Sequence, residues 1–377
     1  MYLKFIIIII IFLFIEVLLK VFFQRLLKYT KRFYTEETFR PKFNQQILEK
    51  FYKKSYSQEL GWDNHLKNKE NEKFLKKKGK KILTFGDSYV FGKFSEEKDK
   101  WQFHLTKKTN LKVLNYGVNN HGLDQSFLKI KSFNKYIKSN TVIIGFVPET
   151  ILRITTCWKH FYEFGNIYAF KPRFSFDNKK LKLFKNPVDK NLSIQSLNKL
   201  VLSLKKQDPG YKLFFKDNLI KFPIIFLFFK DFNYFFRITL YVFLYRYFKI
   251  KNIKNKIINL IISRNIKLSH KFYKKKIKTN LIENILKKLK KECKKKKSDL
   301  IIVIFPQLYD LKFHSRKNYS DFFEEIAKKN NLNIIDLTYE LERRDYRKLY
   351  LNDKFGGHFN KMGNKLVSDL IYIRLNR

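Results

Sequence analysis

Five short apolar runs limit what this 377-residue chain can fold into. They are "KILTFG" (81–86), "KVLNYG" (112–117), "TVIIGFV" (141–147), "DLIIVIF" (299–305) and "LNIIDL" (332–337). Runs that are apolar throughout, rather than at alternate positions, indicate strands buried on both faces. Most of the stretches between them are long enough for a crossover helix. The pattern predicts an α/β fold, a three-layer α/β/α sandwich around a parallel sheet. Its last element is a helix from about Lys361 to Leu375.

The gap from about 150 to 295 is too long for one crossover and reads as a large helical and aromatic insertion. The chain then divides into a membrane anchor (1–24), a polar, helical lead-in or linker (25–80), two halves of a core (81–154 and 296–377) and the insertion (155–295). Within the insertion, "WKHFYEFGNIYAFKPRFSF" (158–176) reads either as core aromatics or as a surface that stacks on sugar rings. "FPIIFLFFKDFNYFFRITLYVFLYRYF" (222–248) is very apolar but is cut by Lys230, Asp231, Arg237 and Arg246. No clean membrane span survives there. Two readings stay open, a surface lying on a membrane and a helical subdomain with its own apolar seam. "LKKLKKECKKKK" (286–297) reads as a basic helix with a solvated or membrane-proximal face.

The amino terminus carries the second constraint. "FIIIIIIFLFIEVLLKVFF" (5–23) is apolar except for Glu16 and Lys20. Its length matches a bilayer core of roughly 30 Å at about 1.5 Å per residue. Large residues and lysines follow it, where a cleavage site would need small ones. It therefore reads as an uncleaved anchor, which places the protein at the membrane of a cell envelope. Lys20, Arg25, Lys28, Lys31 and Arg32 follow the span and favour a cytoplasmic body. Every flank of this chain is basic, however, so the side of the membrane stays open.

The formal net charge is +47, from 80 Lys and Arg against 33 Asp and Glu. Such a charge would suit a nucleic-acid partner. Here the lysines are spread along the chain, and isoleucine, asparagine and phenylalanine are abundant throughout, as in proteins of AT-rich genomes. No zinc-finger, helix-turn-helix or RNP-like pattern accompanies the charge, so a nucleic-acid partner is not expected. Cys157 and Cys293 are the two cysteines, far apart and without metal-ligand spacing. Nothing in the sequence calls for a metal or an organic cofactor.

Chemistry concentrates at two places. In "FGDSYVFG" (85–92), Ser88 follows the first strand and opens the next element. That is the carboxyl end of a parallel sheet, where open α/β sheets bind ligands. Backbone N–H groups at a helix start can stabilise an oxyanion. Gly86 permits the turn and Gly92 a close approach. A serine needs a base. In "GGHFNKMGNKLV" (356–367), His358 lies in a glycine-flanked loop before the last helix, on the sheet edge where Ser88 is expected.

These two blocks resemble the SGNH hydrolases, also called GDSL esterases and lipases, whose fold is a three-layer α/β/α sandwich. The resemblance covers about 81–150 and 299–377. It implies Ser88 as nucleophile and His358 as general base. "NYGVNNHG" (115–122) is similar to the family's second block, which maps an oxyanion-hole N–H to Gly117, beside that of Ser88.

Two departures from the family pattern stand out. Its third block, G-x-N-D, is replaced by "GFVPETILR" (145–153), without the asparagine. Asn119 or Asn120 is then the substitute donor. Glu149 and Arg153 are either an i,i+4 ion pair or, with Asp87 and Asn120, substrate contacts. The family's acid stands three residues before the histidine, where this chain has Phe355. Asp353 is the nearest carboxylate, with Gly356 and Gly357 to let the loop bring it round, and Asp336 is the alternative. The expectation is a membrane-anchored serine esterase or O-acyl transferase acting on acyl esters of an envelope polysaccharide or glycolipid. The rival is a non-catalytic relative that binds carbohydrate or assists assembly at the membrane.

Overall fold

The computed structural model describes residues 2–27, 39–133, 138, 140–163, 165–177, 180–216, 219–250, 252–314, 316–353, 355 and 357–376. Lys28, Lys31, Arg32 and Gly356 lie outside the described residues. The chain forms two compact units, Met1–Phe43 with Ser193–Ile262, and Asn44–Leu192 with Ser263–Arg377.

The second unit holds the sheet. Among the described residues the strands are β1 (Tyr56–Ser57), β2 (Gly61–Trp62), β3 (Lys81–Gly86), β4 (Lys112–Asn115), β5 (Thr141–Phe146), β6 (Arg173–Asp177), β7 (Lys180–Phe184), β8 (Asp299–Ile304) and β9 (Ile334–Asp336). The five apolar runs of the sequence are β3, β4, β5, β8 and β9. They form one parallel sheet in the order β4-β3-β5-β8-β9. β3 and β5 are buried at every residue, as the unbroken apolar runs require.

This order has a consequence for the site. The chain leaves β3 toward β4, then crosses back to β5 on the other side of β3. Right-handed crossovers in opposite directions put their helices on opposite faces. Trp101–Thr109 and Lys361–Leu375 share one face, joined through Trp101, Leu105, Val367 and Ile371. Leu123–Ser132 and Lys276–Lys295 pack together on the other. The winding reverses between β3 and β5, and open α/β sheets bind ligands at the carboxyl edge of such a point.

Gly86 and Gly145 are paired across β3 and β5 at that edge. Gly86 has φ 153°, and a Cβ on it would collide with the Gly145 carbonyl oxygen and press on Val90. Any larger residue would push the Ser88 turn away from the sheet.

The lead-in and insertion divide differently from the sequence segmentation. Residues 44–80 are not a linker. Gln45–Lys54, the β1–β2 hairpin and His65–Leu75 belong to the sheet unit, and their polar residues hide a few buried ones such as Leu48 and Trp62. The insertion is split, with 155–192 and 263–295 in the sheet unit and 193–262 in the other. The aromatic segment 158–176 is core. Trp158, Phe161, Tyr162 and Phe170 are buried, and the Trp158 and Phe170 rings stack at 5.4 Å, so these four rings are core rather than a platform for sugar. The basic helix Lys276–Lys295 buries Ile282, Ile285, Leu286, Leu289 and Cys293 on one face. Burial pushes the Cys293 thiol up to about 12.

Gly86→Ala is expected to cost roughly 2–4 kcal/mol of stability. Denaturant melts of the full chain in detergent check this. An unchanged midpoint would contradict the close packing of β3 against β5.

Candidate active site

Ser88 follows Asp87 at the end of β3. The helix it opens is a single turn, Ser88–Phe91, stopped by Gly92 at φ 73°. So short a helix contributes free N–H groups rather than a sizeable dipole. Asp87 fixes the turn. Its Oδ1 accepts the Tyr89 N–H at 2.9 Å, and its Oδ2 accepts the Val147 N–H at 3.0 Å. The nucleophile turn is thereby tied to the end of β5.

His358 arrives from the far end of the chain. Its neighbours explain the H-F-N-x-x-G pattern. Phe359 is buried against Tyr89, Phe305 and Tyr350. Asn360 Oδ1 accepts the Gly363 N–H at 3.0 Å and so caps the last helix. The His358 carbonyl accepts the Leu351 N–H at 2.7 Å, and Tyr89 donates its hydroxyl to the Gly357 carbonyl at 2.5 Å. The Tyr89 ring lies under the imidazole, centroids 5.1 Å apart.

These supports bring three side chains into line. His358 Nε2 is 2.9 Å from Ser88 Oγ, and His358 Nδ1 is 2.8 Å from Asp353 Oδ2. A carboxylate only accepts, so Nδ1 carries the proton and Nε2 is left to accept the Ser88 O–H. Asp353 also accepts the Phe355 N–H at 2.6 Å and the His358 N–H at 2.7 Å. Burial works to raise this carboxyl. The His358 hydrogen bond and charge and the two N–H groups outweigh it and hold the pKa below its usual value. Asp336 is engaged elsewhere, with Ser320 and Thr338. Ser88 and His358 are both buried, 5% exposed each.

The remaining expected residues fall into different places. Arg153 donates to Glu149 at 2.8 Å, lies 3.5 Å from Asp87 and donates to the His121 carbonyl at 3.3 Å. Asp87, Glu149 and Arg153 are all buried. Burial raises the Asp87 and Glu149 carboxyls, against the pull of Arg153. They form a buried network behind the serine turn, hydrogen-bonded to one another and to the backbone. Gly117 also departs from its expected role. Its N–H is held by Asn115 Oδ1 at 2.9 Å and is not free for an oxyanion. The Asn119–Asn120 turn just beyond is less committed. The N–H groups of Ser88, Asn119 and Asn120 have no partner among the described residues, and Asn120 is held at φ 61°. Asn119 Oδ1 is buried and also without a partner among the described residues. Asn119, Val118 and Phe91 line an open groove of about 990 Å³, with Trp62, Lys50 and Lys53.

Sequence reasoning missed a wall beside the base. Phe94, 55% exposed and held at φ 68°, packs edge-on against His358 at 5.5 Å. Phe355 stacks on Phe94 at 6.2 Å, and Lys93 lies over the Phe355 ring at 3.6 Å. A bulky residue with positive φ is costly and marks a position worth attention, but nothing in the local sequence announces it. No group of three or more His, Cys, Asp or Glu able to hold a metal occurs among the described residues.

With this geometry in hand, comparison with known proteins adds little. No family model and no curated protein matches the chain. Several solved structures are similar to it, two of which follow. One is a member of the lipolytic protein G-D-S-L family from Veillonella parvula, 12% identical over 79% of this chain and 100% of that one, with a TM-score of 0.40. The other is a lipase/acylhydrolase from Enterococcus faecalis, 12% identical over 79% of this chain and 95% of that one, with a TM-score of 0.35. The chemistry rests on the residues themselves.

His121 supplies a pH test of the packing behind the site. Its Nε2 donates to the Trp62 carbonyl at 2.8 Å. Burial and the nearby Lys129 push its pKa down to about 3, against the opposing charge of Asp63. Between that value and about 6.5 the unfolded chain binds a proton that the folded chain refuses. Stability therefore falls as pH drops through this window, by up to about 1.4 kcal/mol per pH unit. Melting curves at several pH values should show the slope in the wild type and a shallower one in His121→Gln. Equal slopes would contradict a buried, neutral histidine.

Proposed function

We propose that the protein is a membrane-anchored, SGNH-type serine esterase or O-acyl transferase. The observation that carries this reading is the line from Ser88 through His358 to Asp353, with contacts of 2.9 and 2.8 Å. Ser88 Oγ attacks the ester carbonyl carbon while its proton passes to His358 Nε2. Asp353 holds the imidazole in orientation and stabilises it once charged. The tetrahedral oxyanion takes N–H groups from Ser88 and from the Asn119–Asn120 turn. As the intermediate collapses, His358 gives its proton to the leaving alcohol oxygen, and the acyl group stays on Ser88. Water then gives the free acid, or a sugar hydroxyl gives a transferred ester. In both, His358 takes the acceptor's proton and returns it to Ser88.

The substrate class, acyl esters of an envelope polysaccharide or glycolipid, follows from the family resemblance and from the anchor. The exposed Phe94 and the Phe355 ring offer an apolar face beside His358 for a sugar ring or an acyl chain.

Hydrolysis of p-nitrophenyl esters of graded chain length by the purified full chain tests the reading. Ser88→Ala and Asp353→Asn should each lower kcat/KM by roughly 10³-fold or more. Asp336→Asn should leave it within about twofold. A folded wild type without activity would favour the non-catalytic binding or assembly role, and activity that survives Ser88→Ala would contradict Ser88 as the nucleophile.

A further inference from the structure

We infer that residues 222–248 enter one leaflet of the bilayer beside the N-terminal anchor, held there by Glu16, with lipid acyl chains covering their exposed apolar face. The inference is independent of the chemistry at Ser88. It rests on the anchor part of the proposed function.

Two unfavourable features of this unit offset each other. Helix Tyr2–Leu27 is long and apolar enough to cross a membrane, and its apolar window is only 6% buried. Glu16 interrupts it. A carboxylate there is expensive unless it is paired. Separately, the helix Ile225–Lys230 begins just after Pro223, and a helix start leaves backbone N–H groups without partners. In an apolar setting each such group costs several kcal/mol, by order of magnitude. Glu16 is fully buried, and its two oxygens accept the N–H groups of Ile224 (2.7 Å) and Ile225 (2.5 Å). The charge that breaks the span serves to terminate a second helix.

Depth follows from the helix rise. Glu16 lies about 16 Å from the Leu27 end, at about 1.5 Å per residue. Phe226 reaches further, its ring 6.3 Å from that of Phe12. Phe228 meets Phe23 at 6.4 Å, and Phe243 meets Phe22 at 6.1 Å, nearer the end of the anchor. Residues 222–248 thus run beside the carboxyl half of the anchor and leave its first residues uncovered. Phe23 and Leu26 are buried in the same cluster as Tyr234, Phe235, Ile238 and Val242. A leader destined for removal would have no reason to supply that core.

The opposite face of residues 222–248 is apolar too. On the helix Phe232–Phe248, the residues Phe232, Phe236, Leu240 and Tyr247 share one side, away from the buried Tyr234, Phe235, Ile238 and Val242. With Phe226 and Phe229 they are 39% to 74% exposed. A helix apolar on two faces is buried or in lipid. The charges suit a shallow seat. Asp231 caps the helix through the Tyr234 N–H at 3.2 Å, and Arg237 reaches over Tyr241. Lys230, Arg237 and Arg246 have stems long enough to carry their charges to head groups. One occupant, lipid continuous with that around the anchor, accounts for the whole face.

Spin labels test this in the full chain, reconstituted into phosphatidylethanolamine–phosphatidylglycerol vesicles. Labels go on Phe226→Cys and Phe236→Cys, with Leu13→Cys as the anchor reference and Lys50→Cys as the aqueous one. Power saturation then reads access to oxygen and to a water-soluble nickel chelate. The expected result is loss of nickel access at 226 and 236 with oxygen access kept, as at 13. Nickel access at 226 and 236 with 13 shielded would overturn the inference and leave the anchor standing. Shielding from both reagents would mean a second copy or another protein covers the face, and would also overturn it. Nickel access at 13 would remove the anchor and this inference with it. Glu16→Leu should restore nickel access at 226, and no change there would overturn the role given to Glu16.

Discussion

The contact between Ser88 Oγ and His358 Nε2 joins residues 270 positions apart, and the parallel sheet is what makes it possible. Every crossover returns the chain to the same edge. The loop after β3 and the loop before the last helix therefore meet there, although one lies in the first quarter of the chain and the other near its end. The remaining constraints serve this meeting. Gly86 lets β3 end against β5, and Asp87 ties the turn to Val147. Phe359 and Tyr89 fix the height of the imidazole. Loss of any of these would misplace a hydrogen bond whose use depends on tenths of an ångström.

The sheet was legible because burial on both faces leaves a strong mark. β3, β5 and β8 begin where the apolar runs begin, and the last helix runs over Lys361–Leu375 as the pattern implied. Ser88 and His358 were legible because each sits in a short block with glycines and caps around it. Asp353 was readable only as a candidate, since four residues of loop separate it from the histidine and only folding decides how that loop closes. The turn after β4 was harder. Whether Gly117 gives its N–H to a substrate or to Asn115 depends on a side-chain contact two residues away, which no residue pattern encodes. The pair Glu149 and Arg153 reads alike as a surface ion pair or as a site, and burial beside Asp87 separates the two.

Glu16 and the insertion show a different limit. In sequence Glu16 is a blemish in a membrane span, and its partner lies more than 200 residues away. The described residues of 193–262 carry no strand, and those of Phe232–Phe248 show little of the one-sided periodicity that would announce where they belong. Their apolar residues are abundant on all sides, which is the composition of a segment with two apolar neighbours. Glu16 and Asp353 are thus explained by what folding brings to them rather than by their surroundings in sequence.

The central claim is that Ser88 is an activated nucleophile. A fluorophosphonate probe, followed by peptide mapping of the adduct, tests it without knowledge of the natural substrate. The account predicts one adduct, on Ser88, absent in Ser88→Ala and formed much more slowly in His358→Ala. An adduct on another serine, or none on a folded protein, would contradict it.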